Sequence, residues 1–145
     1  MNNQTVTLEQ FFIIGISVRT TNENQQAMQD IGNLWAKFMN QNLIQQIPNK
    51  INDDIYCLYT EYTSDFTGPY TTYLGCKVNS LEDIPEGFVA LNVPSNTYKE
   101  YIIPAGNADA VGATWSKIWE SGMERDYQVD FDVYTRKGEV RIYVG

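Results

Sequence analysis

Histidine is absent from the 145-residue chain, which removes Ser-His-Asp and Cys-His catalysis and the commonest zinc ligand. Cysteine is scarce: Cys57 and Cys76 are the only two, each inside an apparent strand. A lone pair does not make a disulfide framework, so buried free thiols are expected. Basic residues are few and scattered, ten Lys and Arg against eighteen Asp and Glu, for a net charge of −8. Phosphate-backbone binding needs a basic stripe or groove, so direct nucleic-acid contact is not expected. No apolar run approaches the roughly 20 residues that span a bilayer, and the first residues lack the basic-then-apolar pattern of a secretory signal. The expectation is a cytoplasmic protein that does not enter the membrane. No phosphate loop, dinucleotide fingerprint or metal-ligand spacing occurs, so neither cofactor, metal nor catalytic residue is assigned.

What is present is a repeat. Ile31-Gly-Asn-Leu-Trp-Ala-Lys-Phe38 and Val111-Gly-Ala-Thr-Trp-Ser-Lys-Ile118 share the pattern [IV]-G-x-x-W-x-K-[FI]. Gly32, Trp35 and Lys37 thereby correspond to Gly112, Trp115 and Lys117. Downstream, Tyr73-Leu-Gly75 matches Tyr143-Val-Gly145. Strand and helix periodicities fall in the same order in both halves. The first half reads as a strand over 12–20, a helix over 27–43, and strands over 55–63 and 70–78. The second half reads as strands over 88–93 and 98–103, a helix over 109–120, and a hairpin over 129–144. The length and a 43% apolar content suit one folded domain over 1–145. The predicted fold is α+β: tandem β-α-β-β modules, about 5–79 and 87–145, related by a pseudo-twofold. One helix on a small sheet closes no good core alone, so the modules should bury their open sides together and leave a cavity between them.

Ten tyrosines outnumber six phenylalanines and three tryptophans. Tyr59, Tyr62, Tyr73, Tyr98, Tyr134 and Tyr143 fall on predicted strands, where cross-strand packing competes with a cavity role. Aromatic faces attract cations by roughly 0.5–2 kcal/mol each. Trp115 and Trp119, at i and i+4, share a helical face. In Asp130-Phe-Asp-Val-Tyr134, alternation puts Asp130, Asp132 and Tyr134 on one face and Phe131 and Val133 on the other, without saying which looks inward. Aligning 59–62 with 131–134 pairs Thr60 with Asp132 and Glu61 with Val133. Glu61 and Asp132 are the candidate cavity acids. A carboxylate there would attract a cation by about 4 kcal/mol at ~4 Å and an effective dielectric near 20. Burial favours the neutral acid, so affinity for a cation should weaken as pH falls.

The segments Tyr70–Val78, Ile84-Pro-Glu-Gly87, Val93-Pro94 with Tyr98, Ile118-Trp119, Arg125-Asp-Tyr127, Asp130–Tyr134 and Ile142-Tyr143, in this order, resemble the GyrI-like effector-binding domain of multidrug-responsive and AraC-type bacterial activators. That family includes free-standing versions from integron gene cassettes. The resemblance implies two βαββ modules around an aromatic cavity that takes lipophilic cationic small molecules. Its F-E-x-Y motif falls on Phe131-Asp132-Val133-Tyr134, with Asp in place of the family's Glu. Its cavity walls fall on Tyr59, Tyr98, Trp115, Tyr134 and Tyr143. The activators carry a helix-turn-helix segment that is not seen ahead of the first strand here. A sensor or sequestering role, or action through a protein partner carrying a DNA-binding domain, is therefore expected. The competing class is a protein-interaction module like the gyrase-inhibitory proteins. Hydrolysis by a water-activating Glu61 or Asp132 is not expected, because no nucleophile–base pair stands out.

Overall fold

The computed structural model describes residues 3–107 and 109–145. Its elements are β1 (Gln4–Leu8), β2 (Phe11–Thr20), α1 (Gln26–Asn40), β3 (Ile55–Thr60), β4 (Tyr70–Val78), β5 (Val89–Val93), β6 (Asn96–Ile103), α2 (Ala110–Ser121), β7 (Val129–Tyr134) and β8 (Val140–Val144). The eight strands form one antiparallel sheet in the order β1-β6-β8-β7-β3-β4-β2-β5. The fold is α+β, as expected.

The first half holds one strand more than predicted, and the second half holds the four that were expected. The unpredicted β1 is largely exposed and finds its partner in β6, far along the chain. Exchanging β1–β4 with β5–β8 reverses the strand order and leaves it unchanged. The opening strand of each half nevertheless pairs into the other half, β1 on β6 and β5 on β2. The dependence of the two modules on each other thus extends to the sheet edges: each half closes that of the other.

The tight connections then shape the sheet. Only Glu9 and Gln10 join β1 to β2, and only Pro94 and Ser95 join β5 to β6. Each join links strands six places apart, which a flat sheet would separate by roughly 29 Å at ~4.8 Å per strand. Three peptide steps reach only about 11 Å. The sheet must therefore coil until those strand ends meet. Gly15 and Gly75 face each other across β2 and β4, and a Cβ on Gly15 would lie 2.0 Å from the Leu74 carbonyl oxygen. The two backbones approach more closely there than any side chain permits.

Coiling buries both faces. On the inner face Ile13, Leu58, Val93, Tyr98, Phe131 and Tyr143 form one cluster. On the outer face α1 covers Ile14, Leu74 and Cys76 through Leu34 and Phe38. Beside it α2 covers Tyr101, Val140 and Ile142 through Val111, Trp115 and Ile118. Asn42, at φ 52°, and Gly122, at φ 68°, turn the chain left-handed just past the two helices, the usual way a helix is stopped. Cys57 and Cys76 are buried and free, as expected. No helix among the described residues is long and apolar enough to cross a membrane.

Candidate functional site

The helices leave the centre of the sheet uncovered, where β3 and β7 pair. A cavity of 380 Å³ opens there, in the size class of sites for drug-like molecules. Its floor is Tyr59, Asp132 and Tyr134; α1 supplies Ile31 and Trp35, and α2 supplies Val111, Trp115 and Trp119. The β3–β4 loop adds Tyr62 and Phe66, and Arg125 enters from the segment after α2. Met28 lines the mouth and is 75% exposed.

The walls are arranged edge against face. Trp35 and Tyr134 are 4.9 Å apart at 82°, Tyr59 and Trp115 5.6 Å apart at 82°. Phe66 stacks on Trp119 at 5.6 Å. Such contacts fix the rings and leave apolar faces toward the space. Asn22 holds the loop by donating to the Phe66 carbonyl and accepting from the Tyr70 hydroxyl, each at 2.7 Å.

Two acids lie on this face of β7, both with no exposure, and their surroundings differ. The Asp130 carboxylate accepts from Arg125 Nη2 at 2.6 Å, Tyr62 Oη at 2.7 Å and the Gly145 amide at 2.8 Å. Burial pushes its carboxyl up, and the Arg125 guanidinium opposes this. Asp132 accepts from Tyr59 Oη and Trp115 Nε1, both at 2.8 Å, and no cation is paired with it among the described residues. Burial pushes its carboxyl up to about 7 against those two donors, and the charge on Asp130 adds to the rise. Asp130 is thus neutralised from within. Asp132 is left as an uncompensated acid in an aromatic wall.

Of the residues singled out from sequence, Asp132, Tyr59, Tyr134, Trp115 and Trp119 meet at this cavity. Tyr73, Tyr98 and Tyr143 do not; strand alternation carries them to the inner face, where Tyr98 and Tyr143 pack around Phe131. Glu61 is also elsewhere. β3 ends at Thr60, Glu61 turns left-handed at φ 53°, and its exposed side chain reaches only the Tyr73 hydroxyl at 3.5 Å. Arg19 instead uses the Glu61 carbonyl, with Thr63 and Thr71, to pin the loop. The alignment of Thr60 with Asp132 as repeat counterparts fails on register. Cys57 lies opposite Asp132 and Thr60 opposite Val129, so Tyr59, not Thr60, shares the face of Asp132. Tyr62, one of the strand tyrosines weighed for a cavity role, also lines it, whereas sequence reasoning missed Trp35, Phe66, Tyr70 and Arg125 as wall residues. The repeat flagged Trp35, as the counterpart of Trp115; Tyr70 opens β4, and Phe66 and Arg125 lie in irregular segments that carry no periodic signal.

Among the described residues no cluster of acids and thiols could hold a metal ion.

Comparison with known proteins shows the family and the fold. The family described as Cass2, integron-associated effector binding protein, matches residues 4–145, and the chain belongs to it. An integron cassette protein from the mobile metagenome of Vibrio cholerae is 28% identical, with a TM-score of 0.81 over 99% of this chain and 94% of that one. The protein SAV2435, solved bound to tetraphenylphosphonium, shares the fold at a TM-score of 0.80 and 16% identity, covering 99% of this chain and 93% of its own. A putative transcriptional regulator, YobU of Bacillus subtilis, is 24% identical over 141 residues, 90% of this chain and 88% of its own.

Proposed function

We propose that this member of the integron-associated effector-binding family binds one lipophilic cation in the cavity between its helices, with Asp132 as the counter-charge and Tyr59, Trp115, Trp119 and Tyr134 as the aromatic cage. The observation that carries the reading is Asp132 itself: wholly buried, bonded only to neutral donors and walled by rings. An ionised carboxylate there is costly without a positive partner. A large cation with diffuse charge supplies that partner and fills the apolar walls without losing a tight hydration shell. The complex of SAV2435 with tetraphenylphosphonium makes that compound the natural first probe. Binding, not turnover, is the expected activity, and a sensor or sequestering role follows from holding such compounds.

The test is calorimetric titration of tetraphenylphosphonium into the wild type and Asp132→Asn at pH 8. Saturable one-site binding that weakens at least tenfold in the variant supports the assignment. Equal affinity in both would remove Asp132 from the site.

A further inference from the structure

Asp132 is the acid of the cavity, yet its carboxylate is closed to hydrogen bonds from a ligand. The residue has no exposure. Tyr59 Oη occupies Oδ2 and Trp115 Nε1 occupies Oδ1, both at 2.8 Å. Tyr59 and Trp115 are themselves cavity walls, so each oxygen is capped by a ring that faces the space. The other side-chain acceptors are similarly engaged. Asn22 Oδ1 accepts from the Tyr70 hydroxyl at 2.7 Å. The hydroxyls of Tyr59, Tyr62 and Tyr70 each spend their hydrogen on an acid or an amide, which leaves only the remaining lone pairs of neutral phenol oxygens. Gln25 stands at the exposed mouth. A ligand inside therefore meets ring faces, aliphatic carbons and donors, but no open anionic acceptor.

This matters because positive charge and an N–H group make different demands. A ring face and a nearby carboxylate attract positive charge through space, whichever atoms carry it. An N–H needs an acceptor at close range, and one taken from water into a site without an acceptor retains its desolvation cost. We infer that Tyr59 and Trp115, by capping Asp132, select permanent cations without N–H groups, such as quaternary ammonium and phosphonium compounds, over protonated amines of the same shape. The inference rests on the function proposed above, since the selection operates on a cation already drawn to Asp132. The roles are separate: Asp132 supplies the charge, and the two caps withhold its oxygens.

Two biphenylmethyl compounds that differ by one methyl group test this, the trimethylammonium ion and the protonated dimethylamine. Both are titrated by calorimetry at pH 8, with the amine's affinity referred to its protonated fraction. Burial of one more methyl gives about a fourfold gain on its own. An N–H left without an acceptor adds about a further tenfold, so the wild type should prefer the trimethylammonium ion by at least ~30-fold. Tyr59→Phe bares Oδ2 and Trp115→Phe bares Oδ1. In at least one of these variants the preference should fall several-fold, because a freed oxygen can accept the N–H; the ratio is read independently of any loss of overall affinity. A wild-type preference of about fourfold or less, with Asp132→Asn still weakening the trimethylammonium ion, overturns this inference and leaves the cation site standing. A large preference unchanged in both variants also overturns it, since the caps then do not set the preference. If Asp132→Asn leaves the affinity for the trimethylammonium ion unchanged, the proposed function fails and this inference fails with it.

Discussion

The ionisation of Asp132 should govern ligand affinity, and the dependence can be worked out in advance. Burial holds this carboxyl near 7, so the empty protein is mostly protonated there at mildly acid pH. If only the ionised form binds a permanent cation, affinity follows the ionised fraction: about nine tenths at pH 8 and about 3% at pH 5.5. Tetraphenylphosphonium should therefore bind roughly thirtyfold more weakly at pH 5.5 than at pH 8, about 2 kcal/mol. The slope should approach tenfold per pH unit below ~6.5 and flatten above ~8. The probe does not titrate, and the chain has no histidine to confuse the range. The neighbouring acid, Asp130, is also raised by burial, and Asp132→Asn leaves its contribution in place as an internal control. Calorimetry in two buffers of different ionisation enthalpy adds a second readout, because binding below pH 7 must release close to one proton. A flat affinity between pH 5.5 and 8, or the same slope in Asp132→Asn, would refute the argument.

The same carboxyl bears on stability without ligand. Its folded pKa lies above the ordinary carboxylate value, so the folded state holds the extra proton between about pH 4 and 7, and stability falls as pH rises through that window. At pH 8 the cost approaches ~4 kcal/mol for a shift of about three units, and Asp132→Asn should melt higher than wild type at pH 8 but not at pH 4.5. Tyr59→Phe and Trp115→Phe each delete a donor to the carboxylate; the midpoint of the affinity–pH curve should move up by about one unit in each, and an unmoved midpoint would show that these bonds do not favour the charged form. Glu61→Gln should leave the affinity for tetraphenylphosphonium within about twofold, because its side chain is exposed beyond the end of β3. Gly15→Ala should lower the unfolding free energy, read from denaturant melts, by several kcal/mol, since its Cβ would meet the Leu74 carbonyl at 2.0 Å; a change under ~1 kcal/mol would mean the strands part easily.

The elements were legible because their signals are local. The [IV]-G-x-x-W-x-K-[FI] repeat marks both helices, and the Tyr70–Val78 strand falls where β-branched and aromatic alternation places it. What a strand faces is a different matter. Tyr59 and Tyr143 look alike in sequence, yet one floors the cavity and the other packs on Phe131. A one-residue slip in aligning 59–62 with 131–134 reversed a whole face, which is how Thr60 came to stand for Tyr59. The polar β1 has no reason to be a strand until β6 offers its edge. Arg125 precedes Asp130 by five residues in an irregular segment, and only the coiled sheet brings its guanidinium beneath Trp115.

Strand order is two-fold, but charge is not. On the outer face of β7 stand Asp130 and Asp132; on the paired β3 the residues opposite them are Tyr59 and Cys57. Two acids side by side in an apolar wall would share a proton, and neither would be a dependable counter-ion. Arg125 breaks that degeneracy. By holding Asp130 at 2.6 Å it assigns one acid to the fold and leaves the other to the cavity. The cost of keeping Asp132 charged is then borne by the empty protein and relieved by a cation. Affinity, proton release and melting temperature are consequently coupled through one carboxylate, and each can be used to measure the other two. If filling the cavity raised the melting temperature equally at pH 5.5 and pH 8, that coupling would not exist, and the aromatic walls alone would account for binding.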